Sequence, residues 1–247
     1  MQPVTAALQR FRNYAGLVTG SLARLYVIDN PMARLVFLRQ IHFTAVRSMP
    51  LLSAVALAFG AAFIVQAVHL LRDDTRLYLL IEVVLVRTIA PLTAAAIIIG
   101  RSATVISTEL ALMRVNGEID ALRRLRIPIH DYLVVPRVAA VTLGTVGCCF
   151  FFKLIAVLGG FAIAALVLDI QFAEQIGRLA ANLSIGELVL EVAKSTCFGF
   201  AIAAVACGIG LGVAPRMEEV PLAPSRTFLR ALVSVIAIDA LFLGMMP

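Results

Sequence analysis

Residues that carry covalent or metal chemistry are scarce in this chain, and those present are poorly placed for it. The three histidines, His42, His69 and His130, are scattered through 247 residues, and no His-Glu-x-x-His occurs, which argues against a metal centre. The four cysteines, Cys148, Cys149, Cys197 and Cys207, lie within apolar runs without metal-ligand spacing or a Cys-x-x-Cys, and read as small core residues. There is no Gly-x-x-x-x-Gly-Lys-Ser/Thr loop to cradle a nucleotide phosphate and no Gly-x-Ser-x-Gly elbow to present a nucleophile. Paired carboxylates suited to acid–base work are missing too, so catalysis by this chain is not expected. Charge is thin, at 15% of residues. The net charge is +6, but the basic residues gather at the ends of apolar segments with no aromatics interleaved, a pattern of membrane topology rather than of nucleic-acid binding. A cleavable leader is not expected either, because arginines are spread through residues 1–30 instead of preceding an apolar block.

What the chain has in excess is apolar surface. Hydrophobic residues make up 61%, well above the roughly 45–50% of soluble domains, so the fold class is an all-α integral membrane protein. Residues 1–47 read as interfacial amphipathic helices: 4–27 aligns Leu8, Phe11, Ala15, Val18, Leu22 and Leu25 on one face, and Asp29, Asn30 and Pro31 restart a second helix. Six arginines against the single Asp29 place this end in the cytosol. Residues 48–247 form the membrane domain, with spans expected at 48–71, 91–113, 138–168, 195–213 and 227–246. Pro91 is expected to break the long run 77–113, leaving 77–90 as a partly embedded approach. The acidic stretch 169–191 reads as an outer surface helix, and Lys194 as the start of the fourth span. The N-terminus is then cytoplasmic and the C-terminus periplasmic. Gly199, Gly208, Gly210 and Gly212 would allow close helix contact.

Between the second and third spans, residues 114–137 hold five arginines and three acids. Asn116 is a plausible N-cap, Glu118 and Asp120 fall in the first turn, and Arg123, Arg124 and Arg126 in the last, which suits the helix dipole at both ends. Pro128 is expected to stop the helix. Ile119, Leu122 and Leu125 recur at spacing three, so residues 116–127 predict a short amphipathic helix suited to docking on a soluble partner through Glu118, Asp120, Leu122, Arg123, Arg124 and Leu125. The ionisable groups in or near the second span, Glu82, Arg87, Arg101 and Glu109, are site candidates, because such groups face a bundle interior or a wet cavity unless they pair with one another or reach the headgroups. Lys153 in the third span needs water, a carboxylate or a lipid phosphate rather than implying a substrate role.

Several of these residues together resemble the signature of the MlaE/YrbE permeases. They are Arg87-Thr88-Ile89-Ala90-Pro91-Leu92, Gly100-Arg101-Ser102-Ala103, Thr108-Glu109-Leu110-Ala111-Leu112-Met113-Arg114-Val115, Glu118-Ile119-Asp120-Ala121-Leu122 and Tyr132-Leu133-Val134-Val135-Pro136-Arg137. The similarity extends to Arg39-Gln40, Gln66, Lys194-Ser195, Phe198-Gly199, Arg226 and Asp239. The resemblance implies the permease subunit of an ABC-type lipid transporter in the bacterial inner membrane, exchanging phospholipid with a periplasmic MCE-domain protein. It implies a cytosolic ATPase dimer that binds the ATP and magnesium, no cofactor in this chain, and a second permease copy, identical or a paralogue. Residues 116–127 would be the coupling helix. Arg87, Thr88, Pro91, Gln66 and Arg101 would line a lipid cavity, with Arg87 at its outer mouth. The rival expectation is a structural membrane scaffold of an MCE complex with no cavity of its own. One departure bears on the site. The family pattern has Arg-Glu-Leu-Gly-Pro where this chain has Arg87-Thr88-Ile89-Ala90-Pro91, so either Arg87 is left to meet an anionic headgroup or another chain supplies the acid.

Overall fold

The computed structural model describes residues 31–71, 80–168, 177 and 185–245. The expected interfacial helix at 4–27 lies outside them. Among the described residues every regular element is a helix, and five stretches are long and apolar enough to cross a membrane: Arg34–Leu70, Ile81–Val115, His130–Val167, Ile185–Gly212 and Met217–Gly244. The elements are α1 (Pro31–Thr44), α2 (Met49–Leu71), α3 (Ala90–Ile98), α4 (Thr104–Val115), α5 (Glu118–Arg124), α6 (Val135–Leu168), α7 (Ile185–Gly212) and α8 (Leu222–Met245). Turns of π-helix at Ile81–Ile89, Ile99–Ala103 and His130–Val134 precede α3, α4 and α6 and run into them without a break.

The long helix α6 is the axis of the bundle. Its 34 residues reach about 51 Å at 1.5 Å per residue, and α1, α2, α3 and α7 all pack on it. Small residues set the closeness of that packing. A Cβ added to Gly60 of α2 would lie 2.1 Å from the carbonyl oxygen of Ala156 in α6, and one added to Gly160 would lie 2.7 Å from the backbone of Gly60. Gly199 meets the Thr142 backbone in the same way, and Gly210 meets Ser107 and Leu110, so two of the four glycines expected to permit close contact on α7 do so. Gly212 has open space instead. Helix α7 packs on α6, α8 and α4, and its interior face, including Phe198, Ile202, Ala203 and Cys207, is buried. Leu57 and Phe59 on α2 and Leu229, Val233 and Ile236 on α8 face outward, as apolar side chains do when lipid is the solvent.

Several expected boundaries are corrected, the first and third candidate spans beginning early, at Arg34 and His130. Pro91 does not break its helix, and the second span runs continuously from Ile81 to Val115. A proline in mid-helix cannot donate to the carbonyl four residues earlier. Here the helix is in π-register just before it, and the carbonyl of Arg87 accepts a hydrogen bond of 2.7 Å from Lys194 Nζ. The fourth span begins at Ile185, so Glu187, Glu191 and Lys194 belong to the spanning helix rather than to an outer surface helix or its margin. The fifth helix begins at Leu222, five residues before the expected start, with Arg226 held to Glu219 at 2.9 Å.

Candidate functional site

Two polar regions stand at opposite ends of the bundle. At one end, α5 hangs between α4 and the π-turn that leads into α6. Asn116 is not its N-cap. It ends α4, and Gly117, with φ of 76°, makes the left-handed turn into α5. The helix is shorter than 116–127, spanning Glu118–Arg124, and it ends before Pro128 is reached. Its end is a Schellman motif: Ile127 N–H donates to the Leu122 carbonyl and Arg126 N–H to the Arg123 carbonyl, both at 3.0 Å, with Arg126 in the left-handed position at φ 57°. The expected apolar ridge divides. Ile119 is fully buried and anchors α5 to its own bundle, Leu122 is half-buried, and Leu125 is 70% exposed. Glu118, Asp120, Arg123 and Arg124 are exposed beside Leu125. Arg114, one turn before α5, donates from Nη1 to the Leu211 carbonyl at 2.6 Å and so caps the last turn of α7.

At the other end, α7 carries charges at 187, 191 and 194, a spacing of four and three that puts them on one helical face. Each reaches a different span. Arg87 Nη2 donates to Glu187 Oε1 and to Glu82 Oε1, both at 2.5 Å. Glu191 is paired with Lys153 of α6, and Lys194 with Asp239 of α8. Lys153 and Lys194 also lie 5.5 Å and 5.6 Å from the ring centres of Phe150 and Phe198. The side chains of Lys194 and Asp239 are 5% and 8% exposed, so the pair is out of solvent. In a low-dielectric bundle an isolated charge is costly, and each of these cations has a carboxylate partner. α7 is thereby tied electrostatically to the three other spans that hold those partners.

The absent acid of the Arg-Glu-Leu-Gly-Pro pattern is thus replaced within the chain. Glu82, five residues before Arg87, and Glu187 supply two carboxylates where Thr88 supplies none, and the Thr88 hydroxyl donates to the Val83 carbonyl at 3.0 Å. Both bonds of Arg87 leave from Nη2, so Nε and Nη1 are not used by the two carboxylates. The space beside it, lined by Glu82, Val86, Arg87, Glu187, Leu188 and Glu191, is about 20 Å³, room for roughly one water. Pro91 is buried, with its carbonyl 4.0 Å from Cys149 Sγ, and does not open onto a mouth. Gln66 is exposed on α2. Arg101 is half-buried in the second π-turn, without an ion-pair partner among the described residues. It lies fourteen positions from Arg87, about 20 Å along the helix axis, so the structure does not bring these two together. Glu109 pairs with Arg137 at 3.2 Å rather than with Arg101.

A lone mid-span lysine and an acidic stretch gave little sign of these pairings when taken separately. The signal that finds them is the register 187, 191, 194. It becomes visible once 185–212 is taken as one helix.

The family model described as "Permease MlaE" matches residues 37–245. A probable ABC transporter permease protein of Rickettsia prowazekii is 27% identical over 188 residues, covering 74% of this chain and 72% of that protein. One from a Synechocystis strain is 27% identical over 190 residues, covering 76% and 72%. The Arabidopsis thaliana chloroplast protein named trigalactosyldiacylglycerol 1 is 26% identical over 212 residues, covering 82% of this chain and 59% of its own length.

Proposed function

Because this chain belongs to the MlaE permease family and is a multi-pass permease subunit of the ABC transporter type, we propose that it moves phospholipid between the bacterial inner membrane and a periplasmic MCE-domain protein. A permease of this type works with a separate ATPase. The observation that carries the reading is the presentation of α5: one buried isoleucine holds it to the bundle, and Leu125 with four charged side chains is left outward for a soluble partner. In this reading the end bearing α5 is cytosolic, which agrees with the excess of arginine in residues 1–47 and 114–137. The C-terminus is then periplasmic, and two copies of the chain, or this chain and a paralogue, share an ATPase dimer that binds ATP and magnesium.

The lipid substrate is supported by the many large apolar side chains exposed on the spans and by a relative that bears the name of a galactolipid. Arg87 is the anion-receptive group at the periplasmic end. Glu82 is nearly out of solvent and stays with it, whereas Glu187 is 31% exposed and is the carboxylate that a lipid phosphate can displace. ATP-driven closure of the ATPases would move the α5 helices, and through α4 and the Arg114 cap that motion would reach the foot of α7, which carries Glu187 at its far end.

One purification tests both halves. The protein is isolated from its native membrane with the proteins and lipids that remain bound. Leu122→Asp with Leu125→Asp is expected to remove the ATPase and leave the bundle folded. Arg87→Ala is expected to keep the ATPase and lower the bound phospholipid. Full ATPase recovery in the first variant, or undiminished lipid transfer in the second, refutes the corresponding role.

A further inference from the structure

A groove of about 770 Å³ runs between α1, α4 and the start of α6, at the end of the bundle that bears α5. Its polar side carries Arg39, His42 and Arg47 from the first span region, Glu109 from α4 and Arg137 from α6. Three guanidinium groups therefore face one carboxylate. The remaining wall is apolar, with Phe43, Val105, Ile106, Leu112 and Met113. Arg47 rests 5.6 Å from the centre of the Phe43 ring, which holds its charge along that wall.

Arg137 is the telling residue. It is 8% exposed, yet only Nη2 is engaged, by Glu109 at 3.2 Å, while its Nε and Nη1 are buried and have no hydrogen-bond partner. A buried guanidinium with unused N–H groups is expensive unless an acceptor reaches them, and a planar fork of donors matches a phosphate. Glu109 meets Nη2 alone, and its own side chain is 53% exposed. Charged donors on one wall, aliphatic and aromatic surface on the other, and a volume in the range of ligand sites fit an amphiphile better than a small ion.

We propose that this groove binds the phosphate headgroup of an anionic phospholipid from the leaflet nearest α5, with Arg137 as the buried donor and Arg39 and Arg47 as the exposed ones. The site is separate from Arg87, which lies at the opposite end of the second span, and it does not depend on the transport reading. It gives the chain a bound lipid beside α5, where the charge of that leaflet can be sensed.

The test uses the full-length protein in nanodiscs of phosphatidylcholine doped with a minority of phosphatidylglycerol, without ATPase or nucleotide, and counts retained lipids by native mass spectrometry. Wild type is expected to retain phosphatidylglycerol over phosphatidylcholine by roughly tenfold relative to the bulk ratio, the worth of one or two charge-assisted hydrogen bonds. Arg137→Gln is expected to remove most of that preference. Arg39→Gln with Arg47→Gln changes exposed residues that do not support the fold, and is expected to lower the preference severalfold even if Arg137→Gln does not fold. The loss from each variant should be the same fold in an Arg87→Ala background, which separates this site from the periplasmic one. Competition by inorganic phosphate supports recognition through the headgroup. Binding of inorganic phosphate with no lipid preference overturns the lipid assignment. So does a preference untouched by all three substitutions.

Discussion

Removing Lys194 should be among the most damaging single changes this bundle can suffer. Its side chain is 5% exposed and its ammonium makes two contacts, with the Asp239 carboxylate and with the Arg87 carbonyl. Lys194→Met keeps most of the volume and strands Asp239, itself 8% exposed, without its counter-ion. Breaking a buried ion pair from one side costs about 3–5 kcal/mol, and the orphaned carbonyl adds about 1–3 kcal/mol in a partly overlapping way. For a chain of this size a loss of about 3 kcal/mol lowers the melting temperature by roughly 6–12 °C. Asp239→Leu should be about as harmful alone, because it leaves the lysine charge buried. The double variant Lys194→Met with Asp239→Leu replaces the pair by apolar groups of similar size. It should recover about 2–3 kcal/mol relative to the sum of the singles. The assay is reversible denaturant or thermal unfolding of the purified protein in detergent, run as a double-mutant cycle. Additive losses, or a Lys194→Met protein within about 0.5 kcal/mol of wild type, would show that the two side chains do not form a buried pair.

Two further outcomes concern the backbone. Gly60→Val should push α2 away from α6 and destabilise the bundle by about 1–3 kcal/mol, since even a Cβ would lie 2.1 Å from the Ala156 oxygen, whereas Gly147→Ala, which meets nothing within 4 Å, should be neutral or gain up to about 1 kcal/mol in the same unfolding assay. If the two glycines respond alike, close packing of α2 on α6 is not what limits Gly60. Arg126→Gly should slow amide exchange at Arg126 and Ile127 by stabilising the Schellman turn, by about 1 kcal/mol or less because glycine also loosens the unfolded chain, and Arg126→Val should speed it. Equal exchange in both variants would mean that residue 126 does not occupy the left-handed position.

How much of this was legible in the sequence depended on whether the deciding interaction was local. Apolar run length located all five spans, and the charge pattern of residues 114–137 located the short helix α5, because both signals lie within a few turns of chain. The misjudged features were long-range. Pro91 looked like a break because a proline removes a donor, and sequence alone gave no sign that Lys194, more than a hundred residues away, would donate to the backbone beside it. Glu187 and Glu191 looked like solvent-facing acids because their cations, Arg87 and Lys153, come from other helices. The ridge Ile119, Leu122, Leu125 was read with the correct period but as one surface, since spacing does not say which member turns back to its own bundle.

The same long-range pairs constrain how the permease can move. α7 is tied in its first three turns to the helices carrying Arg87, Lys153 and Asp239, and at its other end to Arg114, so it cannot shift relative to all of its neighbours without breaking one of these contacts. Of the four links, the two to Lys153 and Asp239 are the most enclosed, with side chains 5–11% exposed, whereas the Arg87–Glu187 link has one partner 31% exposed. Rearrangement is cheapest where solvent or a lipid phosphate can replace the lost partner. Glu187 is therefore the most replaceable contact of α7, while the Lys194 bond to the Arg87 carbonyl and the Arg114 cap still hold the second span to it.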